Sequence, residues 1–277
     1  MANTVSIVID GQPVEVLAGT TIRAACEQVG ISIPTLCWHP NLTPANACRA
    51  CVVEVEGSRA LVASCSRPVE DQMKIHTDTE RVKNARKTVA ELLASAVDIG
   101  LAPDVQNLIV QTQADIHRFY DAQQEHVGLK DDNDLYIRDL DKCILCYRCV
   151  NTCGSDAQNT FAIAVAGRGL DAHIDPGTDR LLTDSDCVFC GNCVAVCPTG
   201  ALMGKKEWQL RQEGQWDEAQ IHVTETICTY CGVGCDLELH VLGNDIVKVT
   251  SPFDHPVTHG MLCVKGRYGY DFVQQED

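Results

Sequence analysis

The sequence predicts an α+β chain made of small cysteine-rich modules in series, and three observations predict it. Sixteen of the seventeen cysteines fall into four groups of four: Cys37, Cys48, Cys51 and Cys65; Cys143, Cys146, Cys149 and Cys153; Cys187, Cys190, Cys193 and Cys197; Cys228, Cys231, Cys235 and Cys263. Short alternating apolar runs flank the first and last groups and meet at turn pairs such as Asp10-Gly11, the pattern of strands and hairpins. The stretch from 66 to 142 has no cysteine and repeats apolar residues at spacings of three and four, the pattern of helices.

Composition narrows the chemistry. The 277 residues carry 38 acids against 22 bases, a net charge of −16. A surface this acidic repels a phosphate backbone, so no nucleic-acid partner is expected. No apolar run reaches the roughly 18 residues of a membrane helix, so no span is expected. The opening "MANTVSIVIDGQPVEV" has no basic leader and reads as strand, turn and strand. The expected location is cytoplasmic. Thiols in that reducing compartment do not persist as structural disulfides, so seventeen of them point to metal or redox chemistry. Aromatic residues make up only 5% of the chain, and bound metal is expected to contribute part of the folding free energy.

The first group lies in "CWHPNLTPANACRACVVEVEGSRALVASC", spaced C-x10-C-x2-C-x13-C. Four thiolates are the usual ligands of a 2Fe–2S cluster, the close pair gripping one iron and the distant cysteines the other. Strands are expected at 4–9, 14–17, 52–56 and 73–77, with a helix near 20–29. Together they make a ferredoxin-like β-grasp over residues 1–78. A single zinc is the competing occupant, although zinc sites usually pair two C-x2-C knuckles. The long first loop differs from the plant-type spacing. It resembles the 2Fe–2S domain of the large iron–sulfur subunit of complex I, and that of NAD-linked formate dehydrogenases and hydrogenases. Cys26, on the apolar side of the expected helix, reads as a buried inert thiol. His39 stands beside Cys37 where a Rieske-type ligand could be imagined, but the four-cysteine count is complete without it.

Residues 79–134 read as a short helical segment. Val82, Ala85, Val89, Leu92, Leu93 and Ala96 form one apolar stripe. Pro103 suits the first turn of a second helix, with Val105, Leu108, Ile109, Ile116 and Phe119 on its apolar face. The polar run "KDDND" at 130–134 reads as a linker. In the complex I resemblance this region carries H-x3-C-x2-C-x5-C, which supplies a further 4Fe–4S cluster. Here Val97 and Leu101 stand where the histidine and first cysteine would be, so the resemblance implies that this cluster is lost. That loss argues against a complex I subunit. His117 and His126 read as surface or packing residues.

"CILCYRCVNTC" and "CVFCGNCVAVCP" are each C-x2-C-x2-C-x3-C, the strongest signal in the chain. They predict a bacterial two-4Fe–4S ferredoxin-like domain over 135–206. In such ferredoxins the first three cysteines hold one cube and the fourth serves the neighbour. By that rule Cys143, Cys146, Cys149 and Cys197 hold one cluster, while Cys187, Cys190, Cys193 and Cys153 hold the other. Pro198 follows the second run as the motif expects; Gly154 follows the first. The stretch "CILCYRCVNTCGSDAQNTFAIAVAGRG" is also similar to formate dehydrogenase α-subunits.

Residues 207–221 read as a polar connecting arm. The last group, in "CTYCGVGCDLELHVLGNDIVKVTSPFDHPVTHGMLCVKG", is spaced C-x2-C-x3-C-x27-C over a small C-terminal β-rich 4Fe–4S module at 222–277. "LELHVLGNDIVKV" reads as a hairpin around Gly243-Asn244. The module resembles the N-terminal 4Fe–4S module of molybdenum and tungsten bis-pterin oxidoreductases, the formate dehydrogenase family. In that family a lysine two residues after the last cysteine lies between cluster and pterin, and Lys265 matches it. An ammonium there favours the extra negative charge of reduction.

The expected cofactors are one 2Fe–2S and three 4Fe–4S clusters. No glycine-rich dinucleotide loop, P-loop or nucleophile elbow occurs, and "AVAGRG" reads as a loop. NAD and flavin are therefore expected on a partner. The implied function is a multicluster electron-transfer subunit that is not catalytic alone. It would relay electrons between a molybdenum or tungsten formate dehydrogenase catalytic subunit and an NAD(P)/flavin-binding subunit or ferredoxin. In the resembling family a pterin-binding catalytic domain follows the last cysteine. Here the resemblance leaves three expectations: a separate catalytic polypeptide, recruitment by another oxidoreductase, or a truncated sequence. The alternatives are the electron-transfer subunit of an NAD-reducing hydrogenase, whose small subunits usually end after the paired cubes, or of another complex I-like oxidoreductase, and an iron–sulfur redox sensor or scaffold.

Overall fold

Two consecutive left-handed residues, Asp10 (φ 47°) and Gly11 (φ 83°), make the tight turn that joins β1 (Thr4–Ile9) to β2 (Gln12–Leu17). The computed structural model describes residues 3–121, 126–177 and 180–274. These divide into two units, Met1–Trp38 with Pro44–Gln124 and Ile144–Cys146, and His39–Thr43 with Glu125–Cys143 and Tyr147–Asp277.

In the first unit, α1 (Ile22–Gln28) starts at Thr21, whose hydroxyl accepts the Ala24 N–H at 3.2 Å. Three short strands follow: β3 (Val52–Val55), β4 (Val62–Ala63) and β5 (Lys74–His76). The sheet order is β2-β1-β5-β3-β4, with β1 and β5 parallel and the other pairs antiparallel. Ile7 and Ile9 alternate with exposed neighbours and meet Val53, Ile75 and the Ile22, Ala25 and Cys26 face of α1 in one core. The expected strands are present, with β4 added between them.

The helical segment forms α2 (Glu80–Ala96) and α3 (Pro103–Thr112). Ala90 packs with Ala102, Val105 and Leu108 in a second core that also holds Leu36 and Ala50. The second helix stops short of the expected apolar stripe. Gln113 is left-handed (φ 50°) and closes the helix through Ile109 and Val110 carbonyls. Asp115 then turns the chain, accepting the His117 N–H at 3.0 Å while its own N–H binds the buried carboxylate of Glu91 at 3.2 Å. Ile116 is left 46% exposed. His117 and His126 are both exposed.

The second unit begins with β6 (Leu129–Lys130) and β7 (Tyr136–Asp139), followed by α4 (Arg148–Cys153). Next come β8 (Ala164–Ala166), β9 (His173–Asp175) and α5 (Asn192–Ala195). β10 (Leu202–Gly204) pairs with β7, which pairs with β6. Residues 130–134 are not a loose linker. Asp132 accepts the Arg138 guanidinium at 2.7 Å and the Leu182 N–H at 2.8 Å, and Asn133 accepts the Leu135 and Tyr136 N–H groups at 3.0 Å. "AVAGRG" is not a plain loop either: its alanines form β8, paired antiparallel to β9, and Gly167 (φ 68°) begins the turn.

The polar stretch expected as an arm folds as α6 (Lys205–Gln212). Glu207 is buried there, held by Arg211 and by Lys248, each at 2.9 Å. Lys206 donates to the Ile246 carbonyl at 2.7 Å. Lys248 and Ile246 belong to β13 (Asp245–Thr250), which forms a sheet with β11 (Ile221–Ile227) and β12 (Asp236–Leu242) in the order β11-β12-β13. The β12–β13 hairpin turns at Gly243 (φ 65°) as expected. β11 lies on the sheet's edge, with Val223 and Ile227 more than half exposed. The unit closes with α7 (Val264–Tyr268). Among the described residues no helix is long and apolar enough to cross a membrane.

Candidate metal centres

The first cysteine group lies wholly in the first unit. Left-handed Asn46 and Arg49 (φ 57° each) coil the loop around it. That coil turns backbone N–H groups toward sulfur, from Cys48 and Ala47 to Cys37, and from Ala50 and Leu36 to Cys48. Cys37, Cys51 and Cys65 are buried and Cys48 is half-buried. Hydrogen bonds from Cys48 and Cys65 hold the Cys37 thiol down at about 2, and a bond from Cys65 holds Cys51 at about 6. Cys48 and Cys65 are pushed up, first by donating those bonds and then by burial. Four sulfurs this close cannot all ionise by themselves; a polycationic centre among them removes the conflict. The donor set therefore fits an iron–sulfur cluster. Among the described residues no three His, Cys, Asp or Glu side chains are gathered as ligands of a single metal ion.

Cys26 packs in the same core as Cys51 and Cys65 but lies on α1, outside the spaced set of four. It is fully buried, and burial followed by the charge of Asp10 pushes its thiol up to about 11. It is the inert thiol expected.

The second and third groups share a backbone pattern that letters alone do not show. Leu145 and Tyr147 are left-handed (φ 50° and 65°), and so are Phe189 and Gly191 (53° and 71°), at the same offsets from Cys143 and Cys187. Alternating left- and right-handed residues point successive N–H groups to one side, a cradle for an anionic centre. Phe189 N–H reaches Cys187 Sγ at 3.4 Å. Cys149 and Cys153 ride on α4, and Cys193 on α5.

Within the second unit the thiols of Cys187, Cys190, Cys193 and Cys153 are charge neighbours. Burial pushes Cys193 up, and Cys190, Cys187, Cys153 and Cys197 add to the effect. The fourth cysteines of both motifs, Cys153 and Cys197, are thus charge neighbours of Cys193. Cys153 Sγ also accepts the Ala162 N–H at 3.3 Å. Cys143, Cys149 and Cys197 lie in the second unit and Cys146 in the first; Cys146 and Cys149 are buried.

The last group is built on the three-stranded sheet. Cys228 follows β11 and Cys235 precedes β12, joined by the Cys228 N–H to Cys235 carbonyl bond at 2.8 Å. Cys263 is the residue before α7, and a Cβ on Gly266 would lie 3.8 Å from Cys228 Sγ. Burial raises Cys235, and Cys228, Cys231 and Cys263 add to it, so these four sulfurs are neighbours too. Cys231 and Cys263 are exposed, as is Lys265.

Sequence reasoning missed several residues. Tyr136 is buried with its hydroxyl 3.4 Å from Cys187 Sγ. Asn192, between two cysteines of the third motif, is buried, as is Arg267 on α7. A tyrosine seven residues before a cluster motif carries no signal, and an arginine in "KGR" reads as solvated. His39 is buried too. Burial, then the charge of Arg148, pushes its ring down to about 4. Its Nδ1 accepts the Asn41 N–H at 3.2 Å, and it packs edge-on against Phe253.

Residues 2–80 match the family described as a 2Fe-2S iron-sulfur cluster binding domain, residues 142–201 a 4Fe-4S dicluster domain, and residues 221–275 a molybdopterin oxidoreductase Fe4S4 domain. The class is thereby defined: a mixed α/β iron–sulfur protein with both 2Fe–2S and 4Fe–4S binding domains. The chain is 32% identical over 287 residues to the NADH-ubiquinone oxidoreductase 75 kDa subunit of Reclinomonas americana, covering 98% of this chain and 39% of that protein. It is 35% identical to the NADPH-Fe(3+) oxidoreductase subunit alpha of Geobacter sulfurreducens, covering 99% and 32%. It is 41% identical to the NADP-reducing hydrogenase subunit HndD of Solidesulfovibrio fructosivorans, covering 98% and 46%. A solved NAD+-reducing nickel–iron hydrogenase in its H2-reduced state aligns with TM-score 0.64 and 26% identity, over 73% of this chain and 87% of that one. The chain spans a third to just under half the length of these curated relatives. It is similar along 98% of its length to part of a complex I 75 kDa subunit. The absence of the histidine-ligated motif from the sequence therefore does not set it apart from that protein. Nor does the fourth module separate it from hydrogenase subunits, because the match to one runs along 98% of the chain.

Proposed function

We propose that this chain is a multicluster electron relay within an NAD(P)-linked oxidoreductase complex, itself without a catalytic site. Cys37, Cys48, Cys51 and Cys65 would hold a 2Fe–2S cluster. Three 4Fe–4S clusters would be held by Cys143, Cys146, Cys149 and Cys197, by Cys187, Cys190, Cys193 and Cys153, and by Cys228, Cys231, Cys235 and Cys263. Such clusters take up and release single electrons. The chain's own part is to keep them buried, aim N–H groups at their sulfurs, and place charge beside them. The observation that carries this reading is the backbone shared by the two C-x2-C-x2-C-x3-C motifs, left-handed at Leu145 and Tyr147 and again at Phe189 and Gly191, within the stretch that matches a 4Fe-4S dicluster domain. Two such motifs are what a pair of adjacent four-iron centres requires.

Anaerobically prepared protein should contain about 14 irons and an equal number of acid-labile sulfides per chain. Reduced samples should give one 2Fe–2S and three 4Fe–4S resonances at low temperature. Stoichiometric zinc with a silent spectrum would sink the reading.

We assign the chain's partners as an NAD(P)/flavin-binding subunit or ferredoxin on one side and a catalytic oxidoreductase subunit on the other, in the cytoplasm. Two catalytic partners have specific support. The molybdopterin-type module at 221–275, with Lys265 two residues after Cys263, favours a molybdenum or tungsten formate dehydrogenase. The relatives named as hydrogenase subunits favour a hydrogenase. Co-purification with metal analysis separates them: molybdenum or tungsten for the first, nickel or additional iron for the second.

A further inference from the structure

Arg267 is 4% exposed, and among the described residues no carboxylate lies within ion-pair distance of its guanidinium. Its hydrogen bonds go to neutral oxygens: the Cys190 carbonyl and Asn192 Oδ1 at 3.0 Å each, and the Val249 and Gly260 carbonyls at 3.4 Å. Asn192 is 3% exposed, and the same Oδ1 accepts the Leu262 N–H at 2.9 Å. One amide thus ties the third cysteine motif to the backbone beside Cys263, with Arg267 clasped in the joint. Gly191 makes room for it. It is left-handed (φ 71°), and a Cβ there would overlap both Arg267 and Tyr268.

A buried guanidinium without a counter-ion is strongly disfavoured, and backbone carbonyls satisfy its donors without cancelling its charge. The ionisable groups facing it are the thiols of Cys190, Cys193 and Cys263, with the Tyr268 hydroxyl, whose proton burial retains; the thiols become anionic only as ligands of a cluster. A four-iron cluster with its four thiolates is a net anion and becomes more so on reduction. We infer that Arg267 is the shared counter-charge of two clusters, the one at Cys187, Cys190, Cys193 and Cys153 and the one at Cys228, Cys231, Cys235 and Cys263, positioned by Asn192 and raising both reduction potentials together. Because it faces both sites, it also makes them electrostatically one device. This rests on the cluster assignment proposed above.

The test is potentiometric titration followed by paramagnetic resonance on N192D, R267Q and R267K. N192D keeps both acceptor contacts but neutralises the guanidinium; R267Q removes the charge; R267K keeps it. The expected result is a negative shift of the two assigned midpoints in N192D and R267Q, with both near wild type in R267K. If N192D and R267Q shed iron from those centres while R267K stays loaded, the requirement for positive charge is likewise supported. Fully loaded N192D or R267Q with unshifted midpoints overturns the inference. So does iron loss in all three variants, which would make the role one of shape. A wild-type chain lacking these centres would defeat the cluster assignment itself, before any variant is compared.

Discussion

Asp132 and Arg138 show how single residues hold the second unit in shape. Both side chains are buried. Burial by itself would raise the Asp132 carboxyl, but the Leu182 N–H and the Arg138 guanidinium outweigh it and hold it below its ordinary 3.8. Asp132→Ala leaves Arg138 buried and unpaired, with an expected loss of about 3–5 kcal/mol in chemical denaturation. The sign of the pH dependence follows from the lowered value. The carboxylate's contribution is complete above 3.8 and is lost as pH falls through the folded-state value. The gap between wild type and Asp132→Asn should therefore be flat from pH about 5 to 8; a slope there contradicts the assignment. The cysteines give a second contrast. Cys26→Ala should cost about 1 kcal/mol and leave iron content unchanged, because the first group has its four thiols without it. Cys51→Ala should abolish the 2Fe–2S resonance.

At the scale of elements, α2 is set by the residue that precedes it, Thr79. The Thr79 hydroxyl accepts the Val82 N–H at 3.2 Å and donates to Glu54 at 2.8 Å, which joins the helix start to β3. Thr79→Ala should lower stability by about 1 kcal/mol, with a matching fall in thermal midpoint, while Thr79→Ser should restore most of it. Such elements were legible in advance because their signals are local: the Asp10-Gly11 turn, the proline opening α3, the Gly243 hairpin. The spacing from Val82 to Ala96 marked α2 as a helix but not its buried face, which runs through Val82, Ala90, Glu91 and Ser95 while Leu92 and Ala96 are exposed. What stayed hidden depended on distant partners. The run at 130–134 has the composition of a linker, yet Asp132 is fixed by the backbone of Leu182, 50 residues away. The stretch read as an arm became α6 because Glu207 found Lys248 on a strand still to come. The candidate site divides in the same way. Cysteine spacing singled out sixteen thiols as candidate ligands, since such motifs are written in intervals along the chain. Arg267, Asn192 and Tyr136 were not visible, because nothing local distinguishes a buried polar residue from a solvated one.

At the scale of the whole molecule, metal and fold should prove inseparable. Both cores include proposed ligands, Cys51 and Cys65 in the first unit and Cys228 beneath the C-terminal sheet, but the first has many more buried aliphatic side chains around them. Stripping iron with oxidant and chelator should therefore abolish protection of the second unit in hydrogen exchange before that of the β1–β5 sheet. Equal loss in both, or in neither, contradicts that expectation.

The outer strand β11 carries a practical consequence. It offers water an unsatisfied ladder of amides and carbonyls, decorated with Val223 and Ile227. Such a border is a template for sheet growth from one copy to the next. Concentrated stocks should consequently gel or sediment through this rim, and Val223→Lys should keep them clear without disturbing the spectra of any cluster.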